Sequence, residues 1–203
     1  MKNSTPFKTT LFQTVIITAA LFSVLSCNDT TKANENKRTA DQSNEAATKE
    51  AATRAANREK DAQFLAEAHV INVEEIKLGQ LAQKKSTMKD VKDLGKMMEG
   101  EHTKALSALT ALAAKKSITI PTSPIPKVEQ AYKDLSAKTK MDFDKSYSTM
   151  MVEGHKNAIT LFEKAAVECN DADIKQWASS MLPDLRTHLN MAMATESKVN
   201  KMK

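Results

Sequence analysis

The stretch "SITIPTSPIPKVEQAYKDLSAKTK", residues 117–140, decides how this 203-residue chain folds. Pro121, Pro124 and Pro126 lack a backbone N–H and cannot continue a helix, so a helix that reaches this stretch must end there. The stretch is also long enough to run from one end of a helical domain to the other. We therefore predict that it is a long crossover between two pairs of helices.

Helical periodicity flanks the crossover on both sides. Apolar residues recur at helical spacing in four segments, near residues 60–84, 88–115, 140–168 and 173–200, and no segment has the alternating pattern of a strand. The links within each pair are only a few residues long, and such links join antiparallel neighbours. The predicted fold is all-α: an antiparallel four-helix bundle of the ferritin-like type, with one long crossover between helices 2 and 3.

Residues 1–26 have the features of a secretory signal. Lys2 and Lys8 precede "TLFQTVIITAALFSVLS", an apolar run too short and too one-sided for a spanning helix. The run ends in "VLSC", which resembles the lipobox of bacterial lipoproteins. We predict that Cys27 is the acylated first residue of the mature chain and holds it to the lipid bilayer. An ordinary secretory signal with a free Cys27 is the alternative.

This signal predicts the location and the domain organisation. The expected location is the bacterial cell envelope, at the outer membrane, facing the periplasm or the cell surface. Residues 27–58 are almost without large apolar side chains, so we predict a polar tether. Within it "EAATKEAATR" places opposite charges four residues apart, which favours partial helix. Residues 59–203 then form the four-helix domain.

Composition excludes several classes of function. Removing residues 1–26 leaves 28 of the 30 basic residues against 25 acidic ones, and aromatic residues make up only 4%. This balance argues against a nucleic-acid partner. No glycine-rich phosphate motif occurs. With Cys27 acylated, Cys169 has no disulfide partner, and it lies too far from His155, about 20 Å along the helix, to act as a nucleophile.

The four histidines of the chain are His69, His102, His155 and His188. The last three lie roughly 23 to 27 Å along their helices from the nearest hairpin turn, which is near the middle of each helix. Each of the three also falls near the centre of its apolar stripe, whereas His69 lies off its stripe. We therefore predict that three imidazoles point inward at one level.

Carboxylates complete the predicted site. Glu75 is centred in an apolar stripe, where an isolated buried carboxylate must neutralise, pair or bind a cation. Glu101 and Asp144 lie beside the relevant stripes and can add oxygen ligands. Imidazole with carboxylate suits iron, zinc, manganese or copper. We predict a transition-metal site formed by Glu75, His102, His155 and His188, with Glu101 and Asp144 assisting.

Two alternatives to a metal site remain open at this point. Glu75 and His102 can form a buried ion pair. The whole layer can also be a hydrogen-bonded polar network without metal, in a non-catalytic structural, stress-related or binding module. No sequence feature establishes a reaction.

Several motifs carry a family resemblance: "EIKLGQLA" from Glu75, "MMEGEHTKAL" around His102, "FDKSY" from Phe143, "GHKNAI" around His155 and "LPDLRTHL" around His188. Residues 61 to about 195 resemble a bacterial secreted family known as domain of unknown function 4142, which is placed among ferritin-like folds. The resemblance implies that six positions are the family's characteristic polar residues, with Tyr147 beside the ligands: Glu75, His102, Asp144, Tyr147, His155 and His188. Glu101 departs from the family, which usually has Asp there, and the resemblance implies no established reaction.

Overall fold

The computed structural model describes residues 30–120 and 124–202. The predicted signal, residues 1–26, and the predicted lipidation site, Cys27, lie outside the described residues. Within them every regular element is a helix. The five helices are α1 (Thr30–Lys85), α2 (Lys89–Lys115), α3 (Pro126–Ser136), α4 (Lys140–Glu168) and α5 (Ala172–Lys201).

The chain divides into two compact units, Met1–Ala46 and Ala47–Lys203. In the first unit, residues 30–46 are helical. The second unit contains the buried residues of the described chain, and we call it the helical domain. Among residues 30–120 and 124–202, no helix is both long and apolar enough to cross a bilayer.

The predicted helical segments lie within α1, α2, α4 and α5, so the all-α prediction is confirmed. The structure adds a fifth helix, α3, inside the predicted crossover. Pro126 occupies the first turn of α3, where the missing N–H costs nothing because that position has no helical acceptor. Val128 and Leu135 of α3 are buried, which holds this short helix against the domain.

The crossover starts with a Schellman turn at the end of α2. Ser117 has a left-handed backbone with φ of 52°. The Ile118 N–H donates to the Ala113 carbonyl at 2.9 Å, and the Ser117 N–H donates to the Ala114 carbonyl at 3.0 Å. Ile118 then packs against the apolar core. Two carbonyl groups at the end of α2 are thereby satisfied before the first crossover proline.

Contacts between helix ends define how the second unit is arranged. The Arg58 guanidinium donates to the Ser117 carbonyl at 2.7 Å, which brings the C-terminal end of α2 beside this part of α1. Asp61 accepts from the backbone N–H groups of Asn170 at 2.7 Å and Asp171 at 3.0 Å, in the link between α4 and α5. At the other end, Lys198 of α5 pairs with Asp90 in the first turn of α2.

Two glycines let α1 and α2 approach closely. A Cβ atom added at Gly79 would lie 2.6 Å from the Gly95 carbonyl oxygen, and one added at Gly95 would lie 2.7 Å from the Gly79 carbonyl oxygen. Such distances leave no room for a side chain on either helix. The pair therefore sets the spacing between α1 and α2, on which the contacts of the site depend.

The buried core consists of two apolar clusters with polar residues between them. One cluster includes Phe64, Leu109, Phe162 and Ile174, and the other includes Leu78, Leu94, Phe143 and Val199. Along all four long helices, buried polar residues lie between the members of the two clusters. We call these residues the histidine layer: Asn72, Glu75, His102, His155 and His188.

Candidate metal centre

Three imidazoles from three helices meet in the histidine layer. His102 of α2, His155 of α4 and His188 of α5 are exposed by only 3%, 1% and 5%. Their ring centroids lie 5.4 to 5.6 Å apart, and one ring nitrogen from each lies within 4.8 Å of the other two. Among the described residues, no other His, Cys, Asp or Glu side chains form such a group.

Hydrogen bonds on the outer side of two rings select the tautomer. His102 Nδ1 lies 2.9 Å from the Asn72 side-chain oxygen, and His155 Nδ1 lies 2.8 Å from the Met151 carbonyl oxygen. Both oxygens only accept, so each Nδ1 must carry the hydrogen. In a neutral ring, the lone pair is then on Nε2, which is the arrangement of a metal-binding histidine.

The remaining nitrogens of the cluster lack protein partners. His102 Nε2, His155 Nε2 and His188 Nδ1 are buried and have no hydrogen-bond partner in the part of the chain that the structure describes. Buried polar atoms of this kind are uncommon, because each one costs free energy unless something binds it. Three of them lie in this one cluster, whereas the two ring nitrogens of His69, also buried and without a partner among the described residues, lie outside it.

Burial keeps the imidazoles neutral. It lowers the pKa of His102 to about 3, helped by the charges of His155 and His188. Burial lowers the pKa of His155 to about 4, although the Met151 hydrogen bond opposes this. Burial also lowers the pKa of His188, while the charges of Asp184 and Glu101 oppose it. Neutral rings have the free lone pairs that a metal ion needs.

Glu75 of α1 lies behind His155 and not beside His102. Its Oε1 is 3.8 Å from His155 Nδ1, the ring nitrogen that carries the hydrogen. This distance is longer than a hydrogen bond, and His155 Nδ1 already donates its hydrogen to the Met151 carbonyl. Glu75 is also absent from the group of converging atoms, so the structure does not bring this predicted ligand to the same point as the three imidazoles. The predicted Glu75–His102 pair is replaced by Asn72–His102.

Glu75 is nevertheless a strongly perturbed group. It is 5% exposed, and its Oε2 has no partner among the described residues. Burial, with a smaller effect from the neighbouring Glu74 charge, raises the pKa of Glu75 to about 8. Burial and the Glu75 charge also raise the pKa of Tyr147 well above its usual value.

The other predicted oxygen groups are separate from the cluster. Asp144 and Tyr147 of α4 are buried, and Asp144 Oδ1 and the Tyr147 hydroxyl have no partner in the described chain. Glu101 is 42% exposed and pairs with Lys104 at 2.8 Å. Neither Asp144 nor Glu101 belongs to the group of converging ligand atoms, and neither does His69.

Asn72 is the member of the layer that the sequence analysis missed. It is 2% exposed, its side-chain nitrogen donates to the Ala68 carbonyl at 2.7 Å, and its oxygen holds His102. A signal was present, because Asn72 lies three residues before Glu75 and so on the same side of the helix. A polar residue at this position is a candidate for burial beside the histidines, as Glu75 is.

Two cavities flank the layer. One, of about 230 Å³, is lined by His102 and His188 together with Glu101 and Asp184. The other, of about 630 Å³, reaches Glu75 at Gly154. A Cβ atom at Gly154 would lie 3.2 Å from Glu75 Oε1, so the glycine gives the carboxylate its space.

Cys169 takes no part in this site. It is buried at the end of α4 and is a free thiol. Burial, with the nearby Asp61 charge and hydrogen bond, raises the pKa of Cys169 to about 12. The thiol is therefore protonated at neutral pH, and it packs in the core cluster that contains Phe64.

These features define a class of protein: an all-helical, bundle-like domain with a buried cluster of three histidines. The chain belongs to the DUF4142 family, a domain of unknown function, whose sequence profile matches residues 45–195. The crystal structure of a secreted protein from Streptomyces coelicolor, described as DUF305, is similar with a TM-score of 0.59. It is 11% identical, and the match covers 69% of this chain and 92% of that one. At this identity the likeness concerns the fold alone. No curated protein matches the chain significantly.

Proposed function

We propose that the helical domain binds one transition-metal ion through His102, His155 and His188. The observation that carries this proposal is the convergence of three buried imidazoles, each with a ring nitrogen that no described protein group satisfies. Two of the rings are already fixed in the required tautomer by Asn72 and Met151. A bound ion would turn three unsatisfied nitrogens into three ligand bonds.

The donor set narrows the choice of ion. Three neutral imidazoles suit zinc, copper or iron, whereas manganese favours oxygen ligands. Metal–nitrogen bonds are about 2.0 to 2.1 Å long, so two nitrogens on one ion lie at most about 4.2 Å apart. The three rings, whose ligand atoms lie within 4.8 Å of one another, would therefore have to move closer together around the ion. Glu75 would lie beside His155, outside the ligands of the ion. Asp144 and Tyr147 precede His155 by about 16 and 12 Å along α4 and are not proposed as ligands.

Metal analysis of the purified full chain tests the proposal. We expect about one equivalent of a transition metal, and none in the variant His102→Ala/His155→Ala. The matched control is His69→Ala, which removes an imidazole from outside the cluster and should keep the full equivalent. Equal metal content in the double variant and the control would refute the assignment.

A chelator distinguishes metal binding from the alternative hydrogen-bonded network. A ligand that binds only the folded state raises its stability by mass action. Removing the ion should therefore lower the melting temperature of the wild type and leave that of the double histidine variant unchanged. A wild-type melting temperature that does not respond would favour a polar network in a non-catalytic module.

We propose further that α1, α2, α4 and α5 form an antiparallel four-helix bundle of the ferritin-like type. Contacts at both ends support this arrangement. Arg58 and Asp61 of α1 contact Ser117 and the α4–α5 link, while Lys198 of α5 contacts Asp90 of α2. Spin labels at exposed positions near these ends would give short distances for this topology and long ones for parallel neighbours.

The final part of the proposal is that acylated Cys27 anchors the chain to a membrane of the bacterial envelope. Its support is the "VLSC" sequence after an apolar signal. In cells labelled with radioactive palmitate, the wild type should incorporate label and sediment with membranes. Cys27→Ala should incorporate none, and Cys169→Ala is the control that keeps the label. Labelling of the Cys27→Ala chain would contradict the anchor.

A further inference from the structure

Only one of the two cavities beside the histidine layer reaches the imidazole cluster. The cavity of about 230 Å³ is lined by His102 and His188, both of which have an unpartnered buried nitrogen. The cavity of about 630 Å³ has Glu75 in its wall and none of the three histidines. The smaller cavity is therefore the direct path from the surface of the described domain to the proposed ligands.

Charged groups mark the outer part of this smaller cavity. Glu101 of α2 is 42% exposed and Asp184 of α5 is exposed, whereas the histidines behind them are buried. The charges of both carboxylates act on His188. Lys104 also lines the cavity and pairs with Glu101, so two negative groups face one positive group.

The walls between the mouth and the histidines are mainly apolar. Ile71, Ala105, Phe162 and Leu185 supply this surface. A cleft with apolar walls and a net negative charge at its mouth concentrates the electric field and attracts cations. Such a cleft fits a small cation that must shed water on its way to nitrogen ligands.

We propose that metal cations reach His102, His155 and His188 through this cavity, attracted at its mouth by Glu101 and Asp184. This inference rests on the proposed function and extends it from the bound ion to the path that the ion takes. Glu101 and Asp184 then act on the rate of loading and are not ligands of the bound ion. Lys104 opposes them by neutralising part of the negative charge.

Acidity alone does not select the path, because the larger cavity also has carboxylates at its edge. Glu153 lines that cavity, is 59% exposed and pairs with Lys156 at 2.9 Å. Glu101 makes the same kind of pair with Lys104, also three residues further along its helix. The two glutamates thus differ in which cavity they face, and Glu153 is a matched control for Glu101.

Stopped-flow mixing of metal-free full chain with Co²⁺ tests the path. Binding to imidazole nitrogen changes the visible absorption of Co²⁺, which gives both a rate and a spectrum of the bound ion. At low salt, Glu101→Gln/Asp184→Asn should bind Co²⁺ about three- to tenfold more slowly, and added salt should shrink the difference. Glu153→Gln should bind at the wild-type rate, and Lys104→Gln should bind faster. The final spectrum and stoichiometry should stay the same in all variants.

Each possible failure has a distinct meaning. Equal rates for the wild type and the double carboxylate variant would overturn the path, and so would equal slowing by Glu153→Gln. A changed final spectrum in the double carboxylate variant would also overturn it, because Glu101 or Asp184 would then be a ligand. If the wild type itself gave no Co²⁺ spectrum, the proposed metal site would fail instead. Unchanged helical circular dichroism shows that a slow variant is folded.

Discussion

Two buried acids on α1 have the same exposure and opposite surroundings. Asp61 and Glu75 are each 5% exposed. Both oxygens of Asp61 accept a backbone N–H, from Asn170 and Asp171, in the link between α4 and α5. Glu75 has one oxygen 3.8 Å from His155 Nδ1 and the other without a partner in the described chain.

The difference separates a buried acid whose oxygens are both hydrogen-bonded from one that has no hydrogen bond among the described residues. Two charge-assisted hydrogen bonds repay the burial of Asp61 and fix the α4–α5 link to α1. Burial raises the pKa of Glu75 to about 8, so this group is held in an environment that does not satisfy its charge. Perturbed groups of this kind concentrate at functional sites. Burial alone would not have distinguished the two residues.

The largest expected effect comes from converting each acid into its amide. Asp61→Asn removes the negative charge and places an NH₂ group against a backbone N–H, so unfolding should become easier by about 2 to 3 kcal/mol. Glu75→Gln should instead raise stability at neutral pH, because the folded wild type keeps this carboxyl group protonated below a pKa of about 8, whereas the unfolded chain already ionises it. Urea unfolding of the metal-free proteins measures both. A larger loss for Glu75→Gln would reverse the comparison.

A second pair of variants tests the close packing of α1 against α2. Gly79→Ala puts a methyl group 2.6 Å from the Gly95 carbonyl oxygen, and a backbone atom cannot yield cheaply. We expect a loss of about 2 kcal/mol and a weaker metal affinity, because the Asn72–His102 contact depends on this spacing. Gly100→Ala is the control. No atom lies within 4 Å of its added Cβ, so it should gain up to about 1 kcal/mol from helix propensity.

A pH series separates Glu75 from the rest of the protein. Burial raises its pKa from the ordinary value of 4.5 to about 8 in the folded state, so the folded state binds more protons between these two pH values. The contribution of Glu75 to stability is therefore fully present below about pH 4.5 and is lost as pH rises through about 8. In metal-free samples, the wild type should lose stability relative to Glu75→Gln over this window. A constant difference between their unfolding midpoints would show that the Glu75 pKa is not raised.

A surface pair supplies the smallest effect and a baseline. Glu163 and Arg186 join α4 to α5 at 2.7 Å, with about half of each side chain exposed. Pairs of this kind contribute little, so Glu163→Gln should lower stability by less than about 1 kcal/mol and leave metal content unchanged. Thermal unfolding and metal analysis of this variant show how much any exposed carboxylate on the domain matters. A loss as large as that of Asp61→Asn would remove the contrast with the buried acids.

Sequence reasoning predicted the four long helices and the common level of the three histidines. It succeeded because helical rise and rotation are regular over the distance between a hairpin turn and a helix midpoint. His102, His155 and His188 each needed only those two quantities. The sequence analysis does not predict the short helix α3, because the three prolines of the crossover indicate an irregular segment. Pro126 nevertheless begins a helix there.

The details of contact could not be predicted in the same way. Whether Glu75 reaches His102 or His155 depends on side-chain rotamers and on the packing of α1 against α4, which periodicity does not contain. The close approach at Gly79 and Gly95 depends on which faces of α1 and α2 pack against each other. Asn72 is absent from the predicted site because the sequence analysis includes only carboxylates as partners of the histidines, whereas His102 is hydrogen-bonded to an amide oxygen.

The division of the core by the histidine layer has a consequence for cooperativity. The two apolar clusters are formed by the same four long helices, but the polar residues of the histidine layer lie between them. In the metal-free protein we expect the two clusters to open separately at this layer, so that backbone amides beside it exchange with deuterium faster than those within either cluster. A bound ion would link α2, α4 and α5 through three ligand bonds in the histidine layer, and the two clusters would then unfold as one cooperative unit.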